Sequence, residues 1–366
     1  MRGGSVTQDI LKKVTIQGFK SIKDSTVDLS TINVLIGPNG SGKSNFISAL
    51  YFLQNILEKN LAETVSRIGL PALLYNGPKV TKKISMEFTF GNNSYGFELT
   101  PNENGGLIFA DEYYGWGEGK WPVKRNVPFG TESEFEKGVR NGIDSYVKPV
   151  LAARNWRVYH FHDTSVNSSM KQVGNMSDAV SLHHDASNLA PFLFLLKHAH
   201  PEEYRNIVST VKYVAPFFGD FVLEPNPENE ELIRLRWKQV GCDEVFGVNQ
   251  LSDGTLRFIC LSVLLLQPPH LQPSTIILDE PELGLHPSAI SMLSDLIRKA
   301  SLKKQIIVST QSTELLDNFT SDNVIVTEIG PSGSVYRRLS KSELKNWLNE
   351  YTLSDIWKKN IIGGLP

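Results

Sequence analysis

Cysteine is nearly absent: Cys242 and Cys260 are the only two among 366 residues. They stand far apart and form no C-x-x-C, which excludes a disulfide framework and a cysteine zinc site and fits a reducing compartment. An excess of either charge is also lacking, since 37 Lys and Arg stand against 39 Asp and Glu for a net charge of −2. The chain as a whole is therefore no electrostatic glove for nucleic acid, although a local basic face is compatible with this balance. Long apolar runs are missing too. Phe258 to Leu266 is the longest near the middle, well short of the ~20 residues that span a bilayer. Met1 to Lys13 is polar and lacks a signal core. These absences predict a cytoplasmic protein without membrane insertion. There is no internal repeat, and no heptad pattern is sustained between Asn60 and Gln250, which excludes a long coiled-coil arm. Neither a G-x-S-x-G elbow nor a nuclease-type carboxylate cluster occurs.

What the chain does have is enough apolar content, 40%, for one large domain or two ordinary ones. The most informative stretch is Gly37-Pro38-Asn39-Gly40-Ser41-Gly42-Lys43-Ser44, which reads G-x-x-x-x-G-K-S. It follows the apolar run Ile32–Ile36 and precedes a helical pattern from Ser44 to about Leu57. A strand, a glycine turn and a helix start are what a phosphate-binding loop needs. Glycines let successive N–H groups, here over Asn39 to Ser44, turn toward phosphate oxygens at a helix N-terminus. Lys43 reaches the β- and γ-phosphates of ATP, and Ser44 is the expected Mg²⁺ ligand.

Ser274-Thr275-Ile276-Ile277-Leu278-Asp279-Glu280-Pro281 is a second signal: a buried strand ending in two acids. Asp279 suits a Mg²⁺ contact. Glu280 suits the general base that polarises an attacking water. A third is Leu251-Ser252-Asp253-Gly254-Thr255, just before the helix Leu256–Leu266. The Ser252 hydroxyl, the Gly254 amide and the helix start make a second anion site, and Ser252 or Asp253 also suits a helix N-cap.

Taken in order, these segments resemble an ABC-type ATPase head of the SMC and RecF class, and more narrowly the compact stand-alone bacterial ATPases of that class, some from anti-phage defence operons. The opening Ile16-Gln17-Gly18-Phe19-Lys20-Ser21-Ile22 and the segments Asp279–Pro287 and Ile306–Ser312 complete the resemblance. It implies an α/β fold with a mixed central sheet, a flanking antiparallel β-sheet and a helical signature lobe. It implies a nucleotide-binding lobe over 1–166 with a β-rich insertion at about 60–150, a helical signature lobe over 167–270, and a closing part over 271–366 with the catalytic-acid strand, the switch strand and the tail, all one composite ATPase domain. It places Lys20 close to the nucleotide, and Ser252 and Gly254 against the γ-phosphate held by another subunit.

Three departures stand out. Asp253 and Thr255 replace Gly and Gln of the LSGGQ signature, and Asp253 is expected to point away from phosphate. Gln311 stands where the class carries a switch histidine; an amide can hydrogen-bond the γ-phosphate or water but carries no proton. No glutamine loop is found, and His162-Asp163 is its positional substitute, touching Mg²⁺ or water, with an ordinary strand-end polar pair as the alternative. His286 reads as a turn and interface residue.

The resemblance implies ATP hydrolysis with Mg²⁺ by a nucleotide-sandwich dimer or higher oligomer. The change is passed to a separately encoded effector such as a nuclease or toxin. RecF-like DNA maintenance is the alternative, and a transporter ATPase subunit is disfavoured by the Phe19-Lys20-Ser21 opening. DNA is a possible partner, for which Trp116, Lys120, Trp121, Lys124 and Arg125 are candidates, with a tryptophan-anchored loop as the other reading. His160, His162, His183, His184 and Asp185 are candidate metal ligands, with ordinary loop histidines as the other reading.

Overall fold

The structure, a computed structural model, describes residues 10–116, 123–126, 130–135 and 156–365. It divides into two compact units, one of Met1–Arg157, Ile307–Gln311 and Thr320–Pro366, the other of Val158–Ile306 and Ser312–Phe319.

The first unit is built on a mixed sheet. Its strands run in the order Val123–Asn126, Leu107–Trp116, Asn93–Pro101, Ile84–Phe90, Leu11–Phe19, Ile22–Asp28, Gly333–Arg338, Val324–Gly330, Ile32–Ile36 and Gln305–Ser309. Two sequence patterns explain the two kinds of strand. Ile84, Met86, Phe88 and Phe90 alternate with less buried residues, the period of an antiparallel strand with one face in the core. Ile32–Ile36 is buried at all five positions and pairs in parallel with Val324–Gly330, as expected of a strand covered on both faces. The helix Lys43–Leu57 buries Phe46, Ile47, Leu50, Leu53 and Ile56, and Phe52 packs against Phe19 with the rings tilted and their centroids 5.3 Å apart. In the antiparallel part, Glu112 is buried and accepts hydrogen bonds from the Tyr95 and Ser133 hydroxyls and the Glu134 N–H. Burial pushes its pKa up, and those donors pull the other way.

The second unit carries the helices Leu189–Ala199, Pro201–Val214, Asp253–Leu266 and Pro287–Ser301 and the buried strand Thr275–Asp279. Two small antiparallel sheets complete it. Asp253–Leu266 is buried without a break from Leu256 to Leu266, so the longest apolar run is a core helix. Cys260 lies inside it, and burial raises its thiol pKa to about 12, which leaves it unreactive.

Several elements depart from the sequence pattern. Apolar spacing from Pro201 to Phe218 reads as one helix, but the helix stops at Val214, and Phe218–Val222 is a strand paired with Arg236–Gln239. The segment Thr164–Ser181 is polar enough to read as a mobile loop, yet it contains a short helix at Ser169–Lys171 and a bridge to Asn229–Ile233. The stretch Ser342–Glu350 reads as helical, but only the turn Lys341–Leu344 forms there, and a further helix occupies Leu353–Lys358. The glycine- and tryptophan-rich stretch from Gly115 to Gly142 reads as loop, yet it includes the strand Val123–Asn126. Of the tryptophan and basic cluster, Lys120 and Trp121 lie outside the described residues. Among the described residues no helix is long and apolar enough to cross a membrane, and the helices Lys43–Leu57 and Pro287–Ser301 have 15 residues each, as expected for a head without a long arm.

Candidate functional site

In the first unit, the phosphate loop leaves the strand Ile32–Ile36 and enters the helix Lys43–Leu57. Gly42 is the N-cap at φ 113, a conformation that disfavours any side chain. A Cβ there would also overlap the Ser334 side chain. The Tyr336 hydroxyl donates to the Gly42 carbonyl at 2.7 Å, so the strand Gly333–Arg338 buttresses the loop. Lys43 is buried, and its ammonium donates to the carbonyl oxygens of Gly37 at 2.6 Å and Pro38 at 3.0 Å. A positive charge is thus fixed at the base of a loop whose Asn39, Gly40 and Ser44 are exposed. The buried Ser41 hydroxyl has no hydrogen-bond partner.

The turn after Leu11–Phe19 feeds the same loop. Lys20 sits there in a left-handed conformation, φ 49, and burial lowers its pKa. Next to it, the Ser21 hydroxyl bonds Ser334 at 2.7 Å and accepts from Asn45 at 2.6 Å. Asn45 directly follows Ser44, so the opening turn is tied to the start of the phosphate-loop helix. Gln311 follows the strand Gln305–Ser309, and its neighbour Thr310 donates its N–H to the Leu35 carbonyl at 3.0 Å.

The second unit holds the acids. Thr275–Leu278 is buried, and Asp279 ends the strand with its Oδ1 buried and without a hydrogen-bond partner. Glu280 adopts φ 43, a strained backbone for a non-glycine residue that persists only where its surroundings enforce it. A narrow pocket opens here, lined by His162, Arg257, Asp279 and Glu280 among others. His162 therefore joins Asp279, whereas Asp163 turns away and accepts the Ser165 N–H at 3.0 Å.

The signature segment lies in the same unit. Ser252 caps the helix Asp253–Leu266 by accepting the Thr255 N–H at 3.1 Å, and both Ser252 and Asp253 are exposed. Asp253 pairs with Lys171 at 3.5 Å. The Lys171 side chain is 6% exposed and also donates to the Thr164 carbonyl. That pairing neutralises the acid that looked repulsive toward phosphate. Gly254 permits a close approach: a Cβ there would overlap the Gly284 carbonyl oxygen, in the turn after the acids. His286 caps the helix Pro287–Ser301, with Nδ1 accepting the Ser288 N–H at 3.3 Å.

Arg257 joins these parts, and nothing in its local sequence announces it. It is buried one turn into the signature helix and donates to the carbonyls of Phe161 at 2.9 Å and His162 at 3.0 Å. Arg257→Ala would strand both acceptors. We expect a loss of about 2 kcal/mol, read as a lower urea midpoint with an unchanged slope. An unchanged midpoint would mean that these bonds do not hold the strand end to the helix.

The family described as "AAA domain, putative AbiEii toxin, Type IV TA system" matches residues 32–317, which contain the phosphate loop, the signature segment and both acids. The chain belongs to this AAA family. It is 23% identical to the endonuclease GajA of Bacillus cereus (strain VD045) over 353 residues, 85% of this chain and 57% of that protein. It is 23% identical to the Old nuclease of Escherichia phage P2 over 368 residues, 92% of this chain and 62% of that protein. The chain thus spans about three fifths of the length of these two relatives. A crystal structure of the Smc head bound to the C-winged helix domain of ScpA aligns with a TM-score of 0.64 at 17% identity, covering 92% of this chain and 99% of that one. The fold of this AAA-family chain is that of an SMC head.

Proposed function

We propose that this AAA-family chain binds and hydrolyses ATP as a dimer closed around nucleotide, and that turnover governs an effector of the nuclease or toxin class in anti-phage defence. The observation that carries the hydrolytic part is the pair Asp279–Glu280. One acid has a buried, unpartnered oxygen and the next is held in a strained conformation beside it. The loop N–H groups over Asn39–Ser44 and the ammonium of Lys43 would hold the phosphates. The oxygen donors of Ser44 and Asp279 are of the type Mg²⁺ prefers, and the unpartnered Asp279 Oδ1 fits that role. Bound there, Mg²⁺ would supply neutralisation of the triphosphate charge.

Glu280 orients water and accepts its proton. Gln311 hydrogen-bonds without accepting a proton, so a proton shuttle at that position has no carrier. Lys20 adds positive charge near the phosphates. From a second copy, the exposed Ser252 hydroxyl and the Gly254 amide complete the anion site, and loss of the γ-phosphate removes the contacts that hold the dimer. The effector reading is supported by the names of the two relatives and of the family.

Lys43→Ala tests the ATPase reading. Steady-state ATP turnover should fall roughly a hundredfold or more, with the thermal transition retained. Equal turnover in variant and wild type, or none in the wild type with or without DNA, would contradict it.

A further inference from the structure

We infer that His160, His162 and Asp279 form a binding site for a transition-metal ion of the zinc class, filled in the absence of nucleotide. One nitrogen from each histidine and one carboxylate oxygen of Asp279 lie within 4.8 Å of one another. Donors around a tetrahedral zinc ion stand about 3.3 Å apart, so small side-chain rotations close the set. Two imidazoles and one carboxylate are a poor match for Mg²⁺, which favours oxygen ligands, and a good one for zinc.

The geometry follows from the chain. His160 and His162 stand two apart just beyond the strand Trp156–Tyr159, so extended backbone puts their rings on one side, with centroids 6.1 Å apart. The backbone at both is anchored: the His160 N–H donates to the His184 carbonyl at 2.9 Å, and the His162 carbonyl accepts from Arg257 at 3.0 Å. Little order must be imposed when an ion arrives. A second observation points the same way. Asp279 Oδ1 is buried with no hydrogen-bond partner, a costly state for a carboxylate that a cation relieves. Three protein ligands leave a position open for water, and His160 is exposed, which gives an ion a way in.

The site shares Asp279 with the proposed Mg²⁺ role, so an ion held here would occupy that carboxylate and oppose ATP turnover. The binding itself does not depend on the ATPase reading and is testable without ATP. The probe is Co²⁺, titrated into untagged, metal-free full-length protein and followed by visible absorption, then displaced by Zn²⁺. One equivalent should bind with ligand-field bands, and one equivalent of zinc should abolish them. His160→Asn and His162→Asn should each weaken zinc binding roughly a hundredfold, while His198→Asn should leave it unchanged. Because His160 is exposed, its variant is expected to fold, which melting checks. Three results would overturn the site: no cobalt bands, binding indifferent to both histidines, or binding that appears only with ATP. Intact metal binding in a protein that, once stripped of the ion, still fails to hydrolyse ATP with Mg²⁺ would count against the ATPase reading alone.

Discussion

Glu280→Gln is expected to lower steady-state ATP turnover by roughly two to four orders of magnitude, the usual contribution of a general base. Binding of ATP should survive, because the phosphate loop lies elsewhere in the chain. The amide has the shape of the carboxylate and still hydrogen-bonds water, but it cannot take the proton. The left-handed backbone at this position, φ 43, is expected to be kept, since Gln meets the same steric demand as Glu. The variant should therefore accumulate in the ATP-bound form. If that form is the closed dimer, ATP with Mg²⁺ should move Glu280→Gln to the dimer in sedimentation, while wild type cycles back to monomer. Wild-type turnover in the variant would remove Glu280 from the role of base.

Ser252→Arg carries the second large effect. Ser252 and Asp253 are exposed at the start of a helix that is otherwise buried. Among the described residues of a single copy, nothing calls for a bulky side chain to be kept out of that place. The N-cap bond to Thr255 is lost in the variant, which costs about 1 kcal/mol and leaves the chain folded. Turnover should nevertheless fall by roughly a hundredfold or more, as for loss of a donor aimed at developing charge. Affinity of the monomer for ATP should change little, because Lys43 and the loop are untouched. Loss of affinity together with turnover would place Ser252 beside the nucleotide of its own copy.

The parts of this site written in contiguous residues were legible in the sequence. The phosphate loop is local chemistry: a buried strand, glycines where the backbone must turn, then a helix. Thr275–Asp279 was legible because a fully apolar run ends abruptly in two acids. Illegible were the residues that hold these pieces in place from a distance. Arg257 reaches the Phe161 carbonyl across 96 positions, and Tyr336 reaches the Gly42 carbonyl across 294. No window of sequence carries such a contact.

Where pattern and structure part, tertiary packing explains it. Phe217, Phe218 and Phe221 extend the apolar spacing past Pro216, yet Phe218–Val222 is a strand because it pairs with Arg236–Gln239 and stacks Phe218 on Trp237 at 6.0 Å. Polarity marks Thr164–Ser181 as mobile, but Lys171 anchors it to Asp253 and Asn188 holds the Asp178 and Ser181 carbonyls. The union of His162 with Asp279 is another meeting of distant segments, visible in the sequence only as a polar residue after a strand.

Complementation between two dead variants tests the shared site most directly. Lys43→Ala lacks the loop cation and Ser252→Arg lacks the signature hydroxyl. In a two-fold dimer each copy meets the same surface of the other. A mixed dimer therefore contains one composite site with both defects and one with neither. With equal amounts and free exchange, half of the dimers are mixed, so turnover should return to about a quarter of wild type. Activity in the mixture no greater than the average of the two variants alone would contradict a site assembled from two copies.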